Sequence, residues 1–138
     1  FTAFTQILDA TVECVGERSA TYRTFAPPAE AESRAANLRD IAVRHRFSYD
    51  AILDAMNGDI FLRIKELDAR AFDSRVEIFD DDVHEAEPGA VVVATRSAMR
   101  PNLAMWGAAP SGYDKMRALR DRFDPHRTLN PGRFIGGL

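Results

Sequence analysis

Residues 68–95 read DARAFDSRVEIFDDDVHEAEPGAVVVAT and hold the longest periodic segment of the chain, followed by its most apolar strand. Large apolar side chains recur there at intervals of four and three residues, as on one face of a helix: Phe72, Val76, Phe79, Val83 and Ala86. Asp68 opens this helix and Pro88-Gly89 ends it. The unbroken, β-branched run from Ala90 to Thr95 then predicts a fully buried strand. The stretch therefore predicts a helix that returns directly into a sheet.

The residues on either side add further elements of both kinds. In chain order, the patterns predict strands over 9–15 and 20–25, a helix over 29–45, a short helical turn over 49–56 with Ser48 as its N-cap, a half-buried strand over 59–66 and a C-terminal helix over 113–123. This order predicts an α+β fold, a ferredoxin-like sandwich in which helices cover one face of an antiparallel sheet. A C-terminal helix and a Pro/Gly-rich tail complete it.

Composition limits what the chain can do. Its 138 residues, 46% of them hydrophobic, are enough for one domain with a proper core. A net charge of -3 and a pI near 5.6 argue against nucleic acid as a partner, and no apolar run is long enough for a transmembrane segment. Cys14 is the only cysteine and cannot form an internal disulfide, so we expect a small core residue in a reducing, cytoplasmic compartment.

Most classes of catalytic site find no match in the sequence. There is no Gly-rich phosphate loop after a strand, and the three histidines are scattered, so we predict no metal site. Asp80 and His84 are four residues apart on the predicted helix and could share an ion, but the acidic run is better interpreted as a solvated helix face. His45, on the apolar side of its helix, is predicted to be a satisfied histidine at the edge of the core. No catalytic residue is assigned.

The last third of the chain carries the most specific pattern. Residues 123–134 read FDPHRTLNPGRF, in which Asp-Pro ends the preceding helix and Asn-Pro-Gly marks a second turn. The helix itself is amphipathic, with an apolar stripe formed by Tyr113, Met116, Leu119 and Phe123. A rigid loop that ends in Arg133 and an aromatic residue suggests that the chain is led to a defined place.

This ending resembles the C-terminal signature of FAD-linked oxidases of the vanillyl-alcohol oxidase type, Phe-Asp-Pro-x-x-x-Leu-Asn-Pro-Gly-Arg-Phe after a helix. Within that group it is most similar to the FAD-binding subunit of glycolate oxidase, and Met105-Trp106-Gly107 fits the same pattern. The resemblance covers about thirty residues strongly; the rest matches only in its order of elements. It implies residues 1–110 as an α+β cap or substrate domain and residues 111–138 as the helix and flavin-facing tail of the same domain.

The resemblance also implies an activity. The parent protein would oxidise a small 2-hydroxy acid such as glycolate or D-lactate and pass a hydride to FAD. In that family the FAD lies mostly in a separate N-terminal domain, which these 138 residues cannot also hold, while the C-terminal domain covers the isoalloxazine ring and shapes the substrate cavity. We therefore expect the chain to be a fragment that is inactive alone, with the FAD-binding domain of the parent chain as its partner. The resemblance leaves open whether an iron–sulfur subunit is a further partner.

Five residues are candidates for the site. Cytokinin dehydrogenases end in Ser-Pro-Gly-Gln, whose first and last residues contact FAD, and by position this implicates Asn130 and Arg133 as cofactor-binding residues; the alternatives are a turn former and a surface charge. Trp106 is a candidate cavity wall or an ordinary core anchor. Arg96 and Arg100, after the last strand, are candidates for binding the substrate anion or simple surface residues.

Two other functions fit the same sequence. The first is a non-enzymatic α+β module whose last thirty residues dock it on a partner protein. The second is a module that binds a small ligand on the exposed face of its sheet. A flavin domain encoded directly upstream would exclude the first, and tight ligand binding by this chain without a flavoprotein would favour the second.

Overall fold

The computed structural model describes residues 18–96, 102–129 and 135. The predicted strand over 9–15, including Cys14, lies outside them. Within the described residues the chain forms, in order, β1 (Arg18–Phe25), α1 (Pro28–Arg44), β2 (Ser48–Asp54), β3 (Asp59–Glu66), α2 (Ala69–Ala86), β4 (Val91–Thr95) and α3 (Tyr113–Phe123).

The four strands form one antiparallel sheet in the order β2-β3-β1-β4. A β-α-β-β-α-β chain with this strand order has the ferredoxin-like arrangement, and the predicted α+β class is confirmed. The register places Tyr22 of β1 opposite Leu62 of β3 and Val92 of β4. The centre of the sheet is therefore apolar on the face that carries these three side chains.

Alternation along β1 and β3 separates the two faces of the sheet. Successive side chains of a strand point to opposite faces, so Ala20, Tyr22 and the isoleucine–leucine set of β3 lie on the face covered by α1 and α2. The fully or nearly fully buried residues of this core come from both layers: Ala20, Tyr22, Ile60, Leu62, Ile64, Leu38, Ile41, Phe72, Val76, Phe79 and Val83. We call the face away from α1 and α2 the second face.

Each helix is fixed by its own sequence signals. Pro28 lies in the first turn of α1, where its missing N–H is not needed. Asp68 caps α2, because its carboxylate accepts hydrogen bonds from the backbone N–H groups of Arg70 and Ala71.

At the C-terminal end of α1, Nε2 of His45 lies 2.8 Å from Oδ2 of Asp82, and the His45 side chain is 14% exposed. The prediction of a satisfied histidine at the edge of the core is confirmed.

One prediction is wrong: residues 49–56 do not form a helical turn. Ser48 begins β2 instead of capping a helix, and β2 continues to Asp54. The cause is that β2 is an outer strand, half exposed on both faces, so its residues lack the alternation that marks an inner strand. The chain turns only after β2, where the Asp54 carboxylate accepts hydrogen bonds from the backbone N–H groups of Met56 and Asn57.

A second prediction is partly wrong: β4 is a strand, but it is not fully buried. Val92 is buried, whereas Val93 is 42% exposed, because the register shifts between Thr21 and Tyr22 and leaves Val93 without a partner on β1. A bulge of this kind turns a side chain out of the ladder. The β-branched run predicted the strand correctly, but β4 lies at the edge of the sheet.

Phe79 should be the most sensitive core position. Its buried ring lies with its centroid 5.4 Å from that of Tyr22, and 5.6 Å and 5.4 Å from those of His45 and Phe47. We expect Phe79→Ala to lower the free energy of unfolding by about 3–5 kcal/mol, because it leaves a cavity. The neighbouring Ile78, 59% exposed, is the control, and Ile78→Ala should change it by less than about 0.5 kcal/mol. Equal effects in urea denaturation would contradict this packing.

Candidate functional site

The C-terminal helix ends at an anchored carboxylate. α3 runs to Phe123 as predicted, and Asp124 directly after it is buried. Its carboxylate accepts hydrogen bonds from the N–H and hydroxyl of Thr128, at 2.8 and 3.0 Å, and from the N–H of Leu129 at 2.9 Å. The backbone N–H groups of Leu129 and Thr128 hold the pKa of Asp124 below its ordinary value, since they favour the charged form.

This anchor explains why the motif has an Asp at that place. The backbone N–H groups that follow a helix need hydrogen-bond acceptors, and here the Asp124 carboxylate accepts from those of Thr128 and Leu129. Between them and the helix, Arg127 adopts a left-handed backbone conformation, with φ of 51°. The turn from Asp124 to Leu129 is therefore fixed by hydrogen bonds as well as by Pro125. The predicted cofactor residues Asn130 and Arg133 lie outside the described residues.

The apolar stripe of α3 is not packed into the core. No residue of the helix is buried. Leu119 is 57% exposed and Phe123 77% exposed, and Leu129 beyond the anchor is 68% exposed. Together they leave an apolar surface next to the anchored turn. Leu119 and Phe123 are four residues apart and share a face of α3, and exposed apolar groups on one face are suited to binding another molecule.

Trp106 lies in a loop held against the start of β4. The carbonyl of Met105 accepts a hydrogen bond from the N–H of Val92 at 2.9 Å, and the N–H of Ala108 donates to the carbonyl of Pro88 at 2.6 Å. Gly107 makes the close approach possible: its φ is +61°, and a Cβ atom there would lie 2.3 Å from the carbonyl oxygen of Ala90. Trp106 itself is 38% exposed, so the interpretation as a core anchor is wrong.

Of the two predicted arginines, the structure describes Arg96, which lies at the opposite end of β4. The N–H of Arg96 donates to the carbonyl of Ser19 at 2.7 Å, which places its backbone beside the start of β1. Arg96 is four positions along the chain from Val92, roughly 13 Å at the rise of a strand, and the Trp106 loop is hydrogen-bonded to Val92. The structure does not bring Arg96 and Trp106 together, and Arg100 lies outside the described residues.

The arginine that lies near the Trp106 loop is Arg23, which was not predicted from the sequence. A depression of about 480 Å³ opens where β1 ends, lined by Arg23, Thr24, Phe25, Asn57, Asp59, Gly89 and Val91. Gly89 is also among the atoms nearest Gly107, so the depression borders the loop that carries Trp106. The only signal was an Arg alternating with Tyr22 and Thr24 on a strand, which is also the pattern of an ordinary surface charge.

Arg23 is held in place on the second face. Its Nε and Nη2 lie 3.0 and 2.8 Å from Oδ1 of Asp59, and its guanidinium carbon lies 5.7 Å from the centre of the Phe61 ring. The Arg23 side chain keeps 49% exposure, and Phe25 beside it is 63% exposed. A fixed guanidinium next to an exposed aromatic ring can bind a small carboxylate.

A second polar cluster lies inside the domain. Asp80 is 3% exposed, so its interpretation as part of a solvated acidic face is wrong. Its Oδ2 accepts a hydrogen bond from the N–H of Ala104 at 2.8 Å, and Nδ1 of His84 lies 3.6 Å from its Oδ1. Burial, and then the nearby Asp80 carboxylate, raise the pKa of Tyr22 well above its ordinary value. The cluster ties α2 to the loop before Trp106.

The described residues contain no group of three or more side chains able to hold a metal ion. None of their helices is long and apolar enough to cross a membrane.

Known proteins offer no guide here. No family model, curated protein or solved structure matches this chain.

The Asp124 anchor should respond to pH. Because the pKa of Asp124 is lowered in the folded chain, its hydrogen bonds stabilise the turn above the ordinary aspartate pKa of about 3.9. That stabilisation is lost as the pH falls from there through the lowered pKa. In an NMR titration, the amide signals of Thr128 and Leu129 should move together in this range. Asp124→Asn should remove the transition, and a transition that persists in this variant would contradict the assignment.

Proposed function

We propose that the chain is the C-terminal cap domain of an FAD-dependent oxidoreductase that acts on a small 2-hydroxy acid. The observation that carries the proposal is the anchored turn after α3. Asp124 organises the Phe-Asp-Pro-x-x-x-Leu part of the motif through three hydrogen bonds. Because Asp124 has a defined structural role in this turn, the motif supports the family resemblance better than a chance match of letters would.

The architecture supports the same proposal. A cap domain must be stable on one side and offer another side to the cofactor and substrate. Here α1 and α2 cover one face of the sheet, and the second face carries the depression beside Arg23. The exposed stripe of α3 adds an apolar surface, which the FAD-binding domain of the parent chain would cover.

The proposed cofactor contacts come from the tail. Asn130 offers an amide for the donor and acceptor edges of the flavin pyrimidine ring. Arg133 offers a charge that stabilises negative charge on the ring or binds a carboxylate in a bidentate pair. When bound, FAD supplies the hydride acceptor. The parent's FAD-binding domain would hold most of the cofactor, and a cytoplasmic location belongs to the same proposal.

For the substrate, two places on the domain are candidates. Arg23, fixed by Asp59 and bordered by the loop of Trp106, offers a carboxylate anchor at one end of the second face. Arg96 and Arg100 follow the other end of β4. We propose Arg23 as the anchor, because its depression borders the loop of Trp106, the candidate cavity wall.

A protein-docking module without enzymatic activity is the second candidate. The exposure of Leu119, Phe123 and Leu129 favours it. The same surface serves both candidates, since a flavin domain is also a protein partner. Flavin binding therefore separates them, whereas the presence of a binding partner does not.

We expect Asn130→Ala and Arg133→Ala, made in the full-length polypeptide that contains this chain, to weaken FAD binding about tenfold each. A hydrogen bond contributes about 0.5–1.5 kcal/mol, or about 1.5–3 kcal/mol when one partner is charged, and each 1.4 kcal/mol is a factor of ten. Arg117→Ala is the control, because Arg117 is exposed and paired with Asp114 on α3. FAD titration followed by flavin fluorescence measures all three. Equal affinities in the three variants and the parent would exclude the tail from the flavin site.

A further inference from the structure

The outer edges of β4 and β2, the two outer strands of the sheet, differ in how far they are paired. The outer side of β4 is partly paired, since Val92 bonds to Met105. On the outer side of β2 the described residues place no further strand. β2 is seven residues long and contains neither lysine nor proline, two common means of protecting an edge. Its two charged residues are already engaged, Asp50 with Lys65 and Asp54 with the backbone of the following turn. An unprotected edge strand of this length is a template for pairing with another strand.

The side chains of β2 favour pairing with a second copy of the same strand. If two copies of β2 pair antiparallel with Ala51 at the centre, Tyr49 of one copy lies opposite Leu53 of the other on the face towards α1. This is an aromatic–aliphatic pair of the kind that stabilises sheets. On the second face Asp50 would lie opposite Ile52. No two like charges would be directly opposite, and Asp50 already has Lys65 as its partner at 2.9 Å.

The helix beside β2 carries a matching charge pattern. A groove of about 240 Å³ between α1 and β2 is lined by Glu32, Ala35, Arg39, Ala51, Ile52 and Leu53. Glu32 and Arg39 are exposed and make no ion pair within the part of the chain that the structure describes. They are seven residues apart, roughly 10 Å along the helix. Because both line the groove beside Ala51, a two-fold axis at Ala51 would bring each Glu32 towards the Arg39 of the other copy.

We infer that the β2 edge is an interface between two copies of this chain, with the strands paired antiparallel about a two-fold axis at Ala51. The interface is isologous, so each contact occurs twice. The small side chains of Ala51 and Ala35 leave room at the centre of the groove, so the two α1 helices can lie side by side above a continuous sheet of eight strands.

Charge exchange at Glu32 and Arg39 tests the interface. Sedimentation equilibrium of the full-length polypeptide should show a monomer–dimer equilibrium. Glu32→Lys places two positive charges opposite each other at both symmetric contacts, and we expect the dissociation constant to rise about tenfold. The double variant Glu32→Lys with Arg39→Glu restores opposite charges and should return it to within about threefold of the parent. Circular dichroism melting checks that every variant is folded.

Cross-linking tests the register independently. A cysteine at Ala51 would lie opposite its own copy, with Cβ atoms about 5 Å apart. Ala51→Cys should therefore be captured as a covalent dimer by a short thiol-specific cross-linker. Glu85→Cys, exposed on α2, is the matched control and should stay monomeric. The inference is overturned by a monomer at all concentrations, by a dimer that the charge variants leave unchanged, or by equal cross-linking of both cysteines.

Discussion

The contact between Phe79 and Tyr22 is the interaction on which the rest of this domain depends. Tyr22 lies at the centre of the sheet, and Phe79 lies on α2 with its ring 5.4 Å away. His45 and Phe47, at the end of α1, pack on the same ring. One aromatic side chain thus holds both helices on a single face of the sheet. The depression beside Arg23, at one end of the second face, and the β2 edge are left for other roles.

Much of this fold could be predicted because its inner elements have regular periods. The intervals of Phe72, Val76, Phe79 and Val83 located α2, and Asp68 marked its first turn. The alternation in β3 located the strand, but the prediction that it is half-buried is wrong, because both of its faces are buried from Ile60 to Ile64. β2 was missed because neither of its faces is fully buried, so its residues carry no period. The run in β4 identified the strand but not its place at the edge, because burial depends on neighbours that a local pattern does not contain.

The candidate site was harder to predict, since it depends on which ends of the strands meet. Trp106 was identified by its resemblance to a motif, and the structure places it beside Val92 through Met105. Arg96 follows the same strand but lies at its other end. Arg23 is far from both in sequence, and only the pairing of β1 with β4 brings it near the Trp106 loop. The role of Asp124 was also hidden, because Asp-Pro predicts the end of a helix but not three hydrogen bonds to the following turn.

These features agree with the proposed cap domain: its core is complete, while the depression beside Arg23, the exposed α3 stripe and the anchored turn from Asp124 to Leu129 are suited to contact with a cofactor-bearing domain. We propose that this domain belongs to a flavoprotein. The most direct test is the visible absorption spectrum of the full-length polypeptide, purified without added cofactor and then again after addition of FAD. We predict the bands of a bound oxidised flavin, absent from the isolated 138-residue chain. A full-length protein that remains colourless after FAD is added and removed by gel filtration would contradict the account.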